Sequence, residues 1–439
     1  MKYTFKGGIH IDEHKNTAGI PIDKGFSPEK VYIPMQQHIG APCECVVKKG
    51  DRVLRCQLIG EAGGGLSLPV HSSVSGTVSD VCDIIGTSGQ KVRHAVIEND
   101  GLYENCEGLS KKDIYSMRAD EAIEQIRLFG ISGMGGATFP TYAKIRSALG
   151  KVDTLIVNCS ECEPYITANH RLLLEEADAV IEGTRMLLHI FGLKKASVAI
   201  ADNKPDAIAL FKEKLRGATD ISVKVLKTKY PQGDERQLIY AITKRRIPTG
   251  KLPADVGAVV FNTETAYAVE HCFSTGEPLV DKIVTVDGDC VRSPKCVKAP
   301  IGTRYRELID YCGGTEGEIR RLVSGGAMMG FTVWSEDTPV SKGCSSVLAF
   351  TKDVDRGKTA DASCIRCGKC TRACPMYLLP SYLAQFARKD MLDKCESFNV
   401  KSCVECGSCS YVCPAKIPVS QYIRTAKAKI LAKARRDAK

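Results

Sequence analysis

Long apolar runs are what this 439-residue chain most plainly lacks: nowhere do eighteen apolar residues stand together, and Met1-Lys2-Tyr3-Thr4-Phe5-Lys6-Gly7-Gly8 holds no apolar signal core. The expectation is a chain that neither crosses a membrane nor carries an export signal. Also missing are a Gly-x-Ser-x-Gly elbow and a Walker loop, so the residues offer neither that hydrolase nucleophile nor a P-loop phosphate site. A regular, even cysteine framework is absent too. The 21 Cys are odd in number and scattered, which argues against a secreted disulfide scaffold and for a reducing cytoplasm. His10 and His14 lack a third ligand beside them and are read as structural histidines.

What is present is a globular mix, 44% hydrophobic and 26% charged, in a length that suits three or four domains. Two cysteine runs stand out: Cys364-x-x-Cys367-x-x-Cys370-x-x-x-Cys374-Pro375 and Cys403-x-x-Cys406-x-x-Cys409-x-x-x-Cys413-Pro414. Each has the bacterial ferredoxin spacing for a [4Fe–4S] cluster, in which three close thiolates hold one cube and the fourth reaches the other. The expected ligand sets are therefore crossed: Cys364, Cys367, Cys370 and Cys413 for one cluster, Cys403, Cys406, Cys409 and Cys374 for the second. Zinc and disulfides are the competing readings. Zinc sites usually show two ligand pairs around a longer spacer, whereas a triple at steps of three followed by Cys-Pro is an iron–sulfur pattern. Of the remaining cysteines, Cys82, Cys106, Cys272 and Cys312 are read as small buried hydrophobes.

The net charge of +10 is uneven, because Lys416, Arg424, Lys427, Lys429, Lys433, Arg435, Arg436 and Lys439 face only Asp437 after Pro414. From Val419 this tail reads as a helix with Ile423, Ala426, Ile430 and Leu431 on one side, suited to anionic lipid or an acidic partner. A solvated helix end is the alternative. No base-reading module accompanies the charge, so nucleic acid is not an expected partner.

The spacing of apolar and turn residues predicts multidomain α/β and α+β architecture. Short apolar runs between Val31 and Ile97 read as all-β, with Val46–Gly60 and Leu68–Val78 resembling the halves of a lipoyl-like barrel-sandwich hybrid that lacks a Met-Lys-Met attachment hairpin. Then come a helix at Ala119–Phe129, strands at Thr154–Cys159, Ala196–Ala201, Ile221–Lys227 and Val256–Phe261, and helices at Thr167–Phe191, Asp206–Leu215 and Glu235–Lys244. That alternation predicts a parallel α/β sheet covered on both sides. Lys282–Leu348 reads as short strands around a helix at Tyr305–Tyr311, resembling an SLBB-like β-grasp, and ferredoxin-like helices follow from Asp353. The expected domains are 1–110, 111–278, 279–352 and 353–439.

Ligands of open α/β sheets bind beyond the carboxyl ends of the strands, which selects four loops. Gly130-Ile131-Ser132-Gly133-Met134-Gly135-Gly136 with Lys144 could cradle an anion. Val157-Asn158-Cys159-Ser160-Glu161-Cys162-Glu163 ends the first strand; its Asn and acids could bond ribityl or ribose hydroxyls, and Cys159-x-x-Cys162 could otherwise be a redox pair. Tyr230-Pro231-Gln232-Gly233-Asp234-Glu235 and Phe261-Asn262-Thr263-Glu264-Thr265 open helices, and could equally be plain N-caps.

Taken together, Phe5-Lys6-Gly7-Gly8-Ile9-His10, His38-Ile39-Gly40-Ala41-Pro42, Gly133–Thr141, Tyr230-Pro231-Gln232-Gly233, Leu252–Gly257 and Gly325-Gly326-Ala327-Met328-Met329-Gly330 resemble the C subunits of Rnf complexes, membrane-associated ferredoxin:NAD⁺ oxidoreductases that translocate Na⁺ or H⁺. The central part is similar to the flavin-bearing, NADH-oxidising subunit of respiratory complex I. The resemblance implies two [4Fe–4S] clusters, FMN, and NAD(H) as substrate. It places Gly133, Gly135, Gly136 and Lys144 on FMN, Asn158, Glu161 and Glu163 facing flavin and nicotinamide, Asp234 and Glu235 on NADH, and Asn262 and Thr263 on flavin phosphate. Gly233-Asp234-Glu235 departs from a Gly-Glu-Glu pattern, and Cys159, Ser160 and Cys162 depart from an Ala-Asp-Glu-(small)-Glu context. The implied function is peripheral electron transfer on the cytoplasmic side of the cell membrane, as part of an oxidoreductase and translocase, with the other Rnf subunits as partners and ferredoxin reached indirectly. A soluble flavin and iron–sulfur cobalamin reductase of microcompartments shares the domain order and is the alternative; a carrier with a defunct nucleotide site is a third reading.

Overall fold

The computed structural model describes residues 2–86, 89–135, 138–351 and 363–437. Gly136 and the expected boundary at 352 lie outside the described residues.

The N-terminal part is all-β. Strands β1 (Lys30–Pro34), β2 (Glu44–Cys45), β3 (Arg52–Val53), β4 (Leu58–Glu61), β5 (Val70–His71), β6 (Gly76–Ile85) and β7 (Lys91–Asn99) form two sheets, β1-β7-β6-β3 and β2-β4-β5. Their facing residues, among them Val31, Ile33, Val53, Ile59, Val70, Val78 and Ile97, are buried in one core, as period-2 alternation requires of a half-covered sheet.

The central domain starts with α1 (Ala119–Leu128) and α2 (Thr141–Ala148). It continues as β8 (Thr154–Cys159), α3 (Ala168–Glu175), α4 (Ala177–Phe191), β9 (Ala196–Ala201), α5 (Pro205–Lys214), β10 (Ile221–Leu226), α6 (Glu235–Thr243), β11 (Ala258–Asn262) and α7 (Thr263–Thr275). All pairings are parallel, in the order β10-β9-β8-β11. Successive strand residues go to opposite cores: Leu155 and Val157 of β8 join one, and Ile156 joins Leu238 and Ile239 of α6 in the other. Both faces are covered, as parallel sheets demand.

Two elements differ from expectation. The single helix over Thr167–Phe191 is two, because Glu176 leaves helical geometry at φ −126°, ψ 35°; its carboxylate pairs with Lys24, and Glu175 accepts from Ile22 N. The last strand begins two residues late, since Pro253–Val256 forms a 3₁₀ turn that Gly257 ends at φ 73°.

The next unit, β12 (Asp281–Gly288), β13 (Lys295–Pro300), α8 (Tyr305–Tyr311), β14 (Arg321–Ser324), β15 (Phe331–Val333) and β16 (Ser346–Phe350), is a mixed sheet in the order β13-β12-β16-β14-β15. Tyr305, Leu308 and Ile309 of α8 sit in its core.

Among the described residues, five α-helices close the chain: α9 (Lys369–Ala373), α10 (Pro380–Arg388), α11 (Leu392–Ser397), α12 (Ser408–Tyr411) and α13 (Val419–Asp437). Here the reading of the basic tail needs correcting. Ile423, Ala426 and Ile430 of α13 are buried with Leu383 and Ala384 of α10, and only Leu431 of that apolar set is exposed. The face predicted for lipid is thus spent on the chain's own core. Cys272 and Cys312 are buried as expected, but Cys82 and Cys106 are only half-buried; Cys82 lies on the stretch of β6 that runs beyond the barrel core.

Candidate functional site: a crevice beside two ferredoxin-type loops

In chain order the sheet reads third, second, first, fourth, so the topology reverses between β8 and β11. Open α/β sheets bind ligands at such switch points. Asn158, the last residue but one of β8, and Asn262, the last of β11, are paired in register.

The four predicted loops meet there. A Cβ on Gly135, which has φ +142°, would lie 2.5 Å from the Asn262 amide; only glycine lets this backbone approach so closely. Gly133 N donates to Phe139 O, closing the loop, and Met134 N donates to Thr265 Oγ1 at the start of α7. Lys144, in the first turn of α2, reaches Glu235 Oε1 at 2.7 Å and stands 5.6 Å from the Phe261 ring centre. Asn158 Nδ2 donates to Gly233 O at 2.9 Å, and Thr263 Oγ1 donates to Asn158 O at 3.0 Å. Gly233 N in turn donates to Cys162 Sγ.

Several predicted site residues have structural duties. Asn262 and Asp234 cap α7 and α6 through Glu264 N and Gln237 N, and burial raises the Asp234 carboxyl to about 6. Both Glu161 oxygens accept N–H groups of α3, from Asn169 and His170. Glu163 accepts from Met328 N and Met329 N of the β14–β15 loop, and burial raises its carboxyl to about 7. Cys159 and Cys162 are free thiols that burial pushes up to about 12, the opposite of a reactive thiolate. His14 stacks on Tyr165, with ring centres 4.8 Å apart.

Two features escaped the sequence reading. Lys15 donates to the carbonyls of Glu161, Glu163 and Ile166, gathering the loop after β8. Gln232 is fully buried with both amide atoms unpartnered.

The cysteine runs repeat each other in conformation. Arg366 and Glu405 share φ 57°, Gly368 and Gly407 have φ 72° and 78°, and Tyr377 and Lys416 have φ 56° and 55°. Each glycine opens a short helix, α9 or α12. Cys374, Cys403, Cys406 and Cys409 are near enough to raise one another's thiols electrostatically, after burial as the main cause; Cys403 is pushed up to about 12. Leu378 N and Glu405 N donate to the sulfurs of Cys374 and Cys403 at 3.4 Å, the type of contact that tunes cluster potentials. Cys364 and Cys367 are exposed and Cys370 half-buried. Among the described residues no three His, Cys, Asp or Glu close on a single-ion site.

The donor chemistry fits both expected groups: a glycine loop pressed on an Asn, with a cation beside it, suits FMN, and the thiols of Cys374, Cys406 and Cys409, buried, with half-buried Cys403 and N–H···S contacts, suit an iron–sulfur cluster. Fold and site together define an iron–sulfur electron-transfer protein with a flavin-type α/β crevice.

Family models match in the order of the domains: the RnfC barrel-sandwich hybrid at residues 3–102, the Nuo51 FMN-binding domain at 126–271, the SLBB domain at 283–332 and a 4Fe-4S dicluster domain at 361–417. The chain is 44% identical over 442 residues to the C subunit of the proton-translocating ferredoxin:NAD(+) oxidoreductase complex of Clostridium ljungdahlii, covering 100% of this chain and 96% of that protein. It is 44% identical over 436 residues to the C subunit of the Na(+)-translocating ferredoxin:NAD(+) oxidoreductase complex of Acetobacterium woodii, covering 99% and 98%. An NAD+-reducing [NiFe]-hydrogenase in the H2-reduced state shares the fold at TM-score 0.50 and 17% identity, over 73% of this chain and 62% of that one. The chain belongs to the family of C subunits of ion-translocating ferredoxin:NAD(+) oxidoreductase (Rnf) complexes.

Proposed function

We propose that this chain is the peripheral subunit that exchanges electrons with NAD(H) in a membrane complex coupling flow between NAD(H) and ferredoxin to Na⁺ or H⁺ translocation. It sits on the cytoplasmic face, with the other Rnf subunits as partners and the coupling ion carried by them. Among the described residues no helix is long and apolar enough to cross a membrane.

One junction carries the reading. Tyr230, from the third crevice loop, packs with Ile9, Ala373 and Cys406 in a single apolar cluster, and its hydroxyl donates to Cys406 O at 2.7 Å. Crevice and cluster loop are thus in direct contact, which keeps the two redox sites close together, as rapid electron transfer favours.

When bound, FMN takes two electrons with a hydride and gives them up singly, while each [4Fe–4S] cluster carries one. Gly133, Gly135, Gly136 and Lys144 would hold the flavin, with Asn262 and Thr263 at its phosphate. Asn158, Glu161 and Glu163 would line the flavin and nicotinamide side, with Asp234 and Glu235 toward NADH. Cys364, Cys367, Cys370 and Cys413 would ligate one cluster, and Cys403, Cys406, Cys409 and Cys374 the other. We place domain limits near 110, 278 and 352.

The test is anaerobic. Purified chain is assayed for iron and flavin, then mixed with NADH; flavin absorbance should bleach before the reduced-cluster EPR signal grows. Cys367→Ala should keep the bleaching and lose the signal of its own cluster. Bound flavin that NADH cannot bleach removes the reading. Release of the chain from membranes by high salt checks the peripheral placement.

A further inference from the structure

The two cysteine runs share a backbone but not a surface. Laying Cys364–Cys374 onto Cys403–Cys413 pairs Arg366 with Glu405, both at φ 57°, and Gly368 with Gly407, at φ 72° and 78°. Between its ligands the second run is covered and its charge answered. Val404 packs beside Tyr230 and Cys406 on the crevice side, Glu405 is half-buried and paired with Arg424 and Lys427, and Ser408 is fully buried. At the same three places the first run has the opposite chemistry. Ile365 is 66% exposed, and Arg366 and Lys369 are exposed cations. Among the described residues neither of them, nor exposed Arg372 one turn further on, has an acid partner.

The sequence around the loop does not balance this charge. From Ser363 to Lys389 it holds Arg366, Lys369, Arg372, Arg388 and Lys389 and no Asp or Glu. The preceding residues 352–362 set Lys352, Arg356 and Lys358 against Asp353, Asp355 and Asp361, and so add no net charge. An exposed patch of one sign steers an oppositely charged surface toward it and rejects a like-charged one.

The patch also stands where an electron would leave the chain. The second run faces the crevice through Tyr230, whereas Cys364 and Cys367 lie on the exposed side of the cluster domain. A lipid surface answers the charge but accepts no electron, and Ile365 alone is too little apolar surface to anchor the loop in a bilayer. We infer that the first cysteine run is a docking surface for an acidic one-electron carrier protein, held by Arg366, Lys369 and Arg372 around the exposed Ile365. This rests on the function proposed above and divides the two runs by role: the second exchanges electrons with the crevice, the first with the carrier. One electron crosses in each encounter, oxidising one side and reducing the other by one, and no bond or proton moves.

The experiment uses the full chain, purified anaerobically with iron and flavin in place, and an acidic [2Fe–2S] ferredoxin as the probe. Binding is followed by anaerobic thermophoresis at low and high salt. Wild type should bind, with affinity falling as salt rises. Lys369→Glu combined with Arg372→Glu should weaken binding roughly tenfold or more, while iron content, cluster EPR signals and flavin bleaching by NADH stay as in wild type. Lys433→Glu, on the exposed side of α13, controls for overall charge and should change affinity far less. Cytochrome c, a basic one-electron carrier, should not bind wild type. If charge reversal costs iron, the milder pair Lys369→Gln and Arg372→Gln decides, again with weaker ferredoxin binding expected at unchanged iron.

No ferredoxin binding by wild type at low salt, equal binding by wild type and the double variant, or an equal effect of Lys433→Glu overturns the proposal. So does cytochrome c binding as tightly as ferredoxin, or loss of iron in both variant pairs, which would show that the cations serve the fold. Capture by phosphatidylglycerol vesicles without ferredoxin binding would assign the patch to lipid and overturn it as well. A wild-type chain that lacks cluster signals, or whose flavin NADH cannot bleach, defeats the function itself; that result is read before any carrier is added and is distinct from a failure to dock.

Discussion

Single residues set how the crevice and the clusters meet. Gly7, at φ +78°, approaches the second cluster's expected ligand so closely that an added Cβ would lie 2.8 Å from Cys374 O. Gly7→Ala should therefore push the Cys374–Pro375 backbone aside and lower iron content while leaving flavin content intact, measured by paired iron and flavin assays; equal iron in both proteins would refute this. Glu163 acts by its charge. Its raised pKa means that the folded chain binds more protons than the unfolded chain between about 4.5 and 7, so stability falls as pH rises through that window. The single Tyr230 hydroxyl hydrogen goes to Cys406 O at 2.7 Å, leaving the longer 3.3 Å contact to Glu163 Oε1, which a proton on Glu163 can supply. Glu163→Gln should flatten the difference between anaerobic urea unfolding at pH 5 and pH 7.5 by up to about 3 kcal/mol; an unchanged difference would show that the carboxyl does not titrate there. At this scale the presence of a 4Fe-4S domain was legible because cluster ligation writes itself in local cysteine spacing. Lys15 was not, since its role arises only when segments more than a hundred residues apart are brought together.

Elements were legible wherever their period was local. β8, β9 and α8 have the expected limits, because each is bounded by its own turn residues. The break at Glu176 left no mark, since α3 and α4 contribute Leu173, Ala177 and Val180 to one shared core and the apolar spacing runs on unbroken. The tail helix shows the other failure: an amphipathic pattern gives a buried face without saying what buries it. In α13 that face packs against α10, while Arg424 and Lys427 pair with Glu405 beside the second cluster loop and Lys429 pairs with Asp390. Three of the eight basic residues of the tail are thereby used within the domain. Ile423, 1% exposed, should cost about 2–5 kcal/mol when cut to alanine and lower cluster retention, seen as a lower melting temperature and loss of iron. Lys433→Ala, on the exposed side, should leave melting unchanged within about 0.5 kcal/mol. Equal melting of the two variants would mean that α13 does not anchor the cluster domain.

Over the whole molecule, the N-terminal segment and a few buried cations join the domains. Tyr3 bridges to Leu226, Ile9 to Tyr230 and Asp23 to Val297, and Gly8 N donates to Ala373 O, so one strand-like strap touches the flavin-type, β-grasp and cluster units in turn. Lys342, from the β-grasp unit, is fully buried and donates to Pro69 O and Gly130 O of two other domains. Arg55 ties the barrel-sandwich unit to the end of α7 and the start of β12, with Glu277 and Asp281 each at 2.9 Å and all three side chains under one fifth exposed. Breaking such a pair leaves charge stranded, at a cost of about 3–5 kcal/mol. Arg55→Ala should accordingly loosen the N-terminal domain, seen as faster limited proteolysis within residues 1–110 while the cluster signal survives. The Glu277 carboxyl, held down to about 2 by His271 first and then Arg55, fixes the pH dependence. The folded chain binds fewer protons than the unfolded one below the ordinary carboxylate range, so this stabilisation is present above about pH 4.5 and is lost as pH falls toward 2. Acid should therefore speed cleavage of the wild type's N-terminal domain toward the Arg55→Ala rate, and the two rates should converge; a wild-type domain that stays protected at pH 3 as it is at pH 7 would show that the Arg55 cluster is not what holds it.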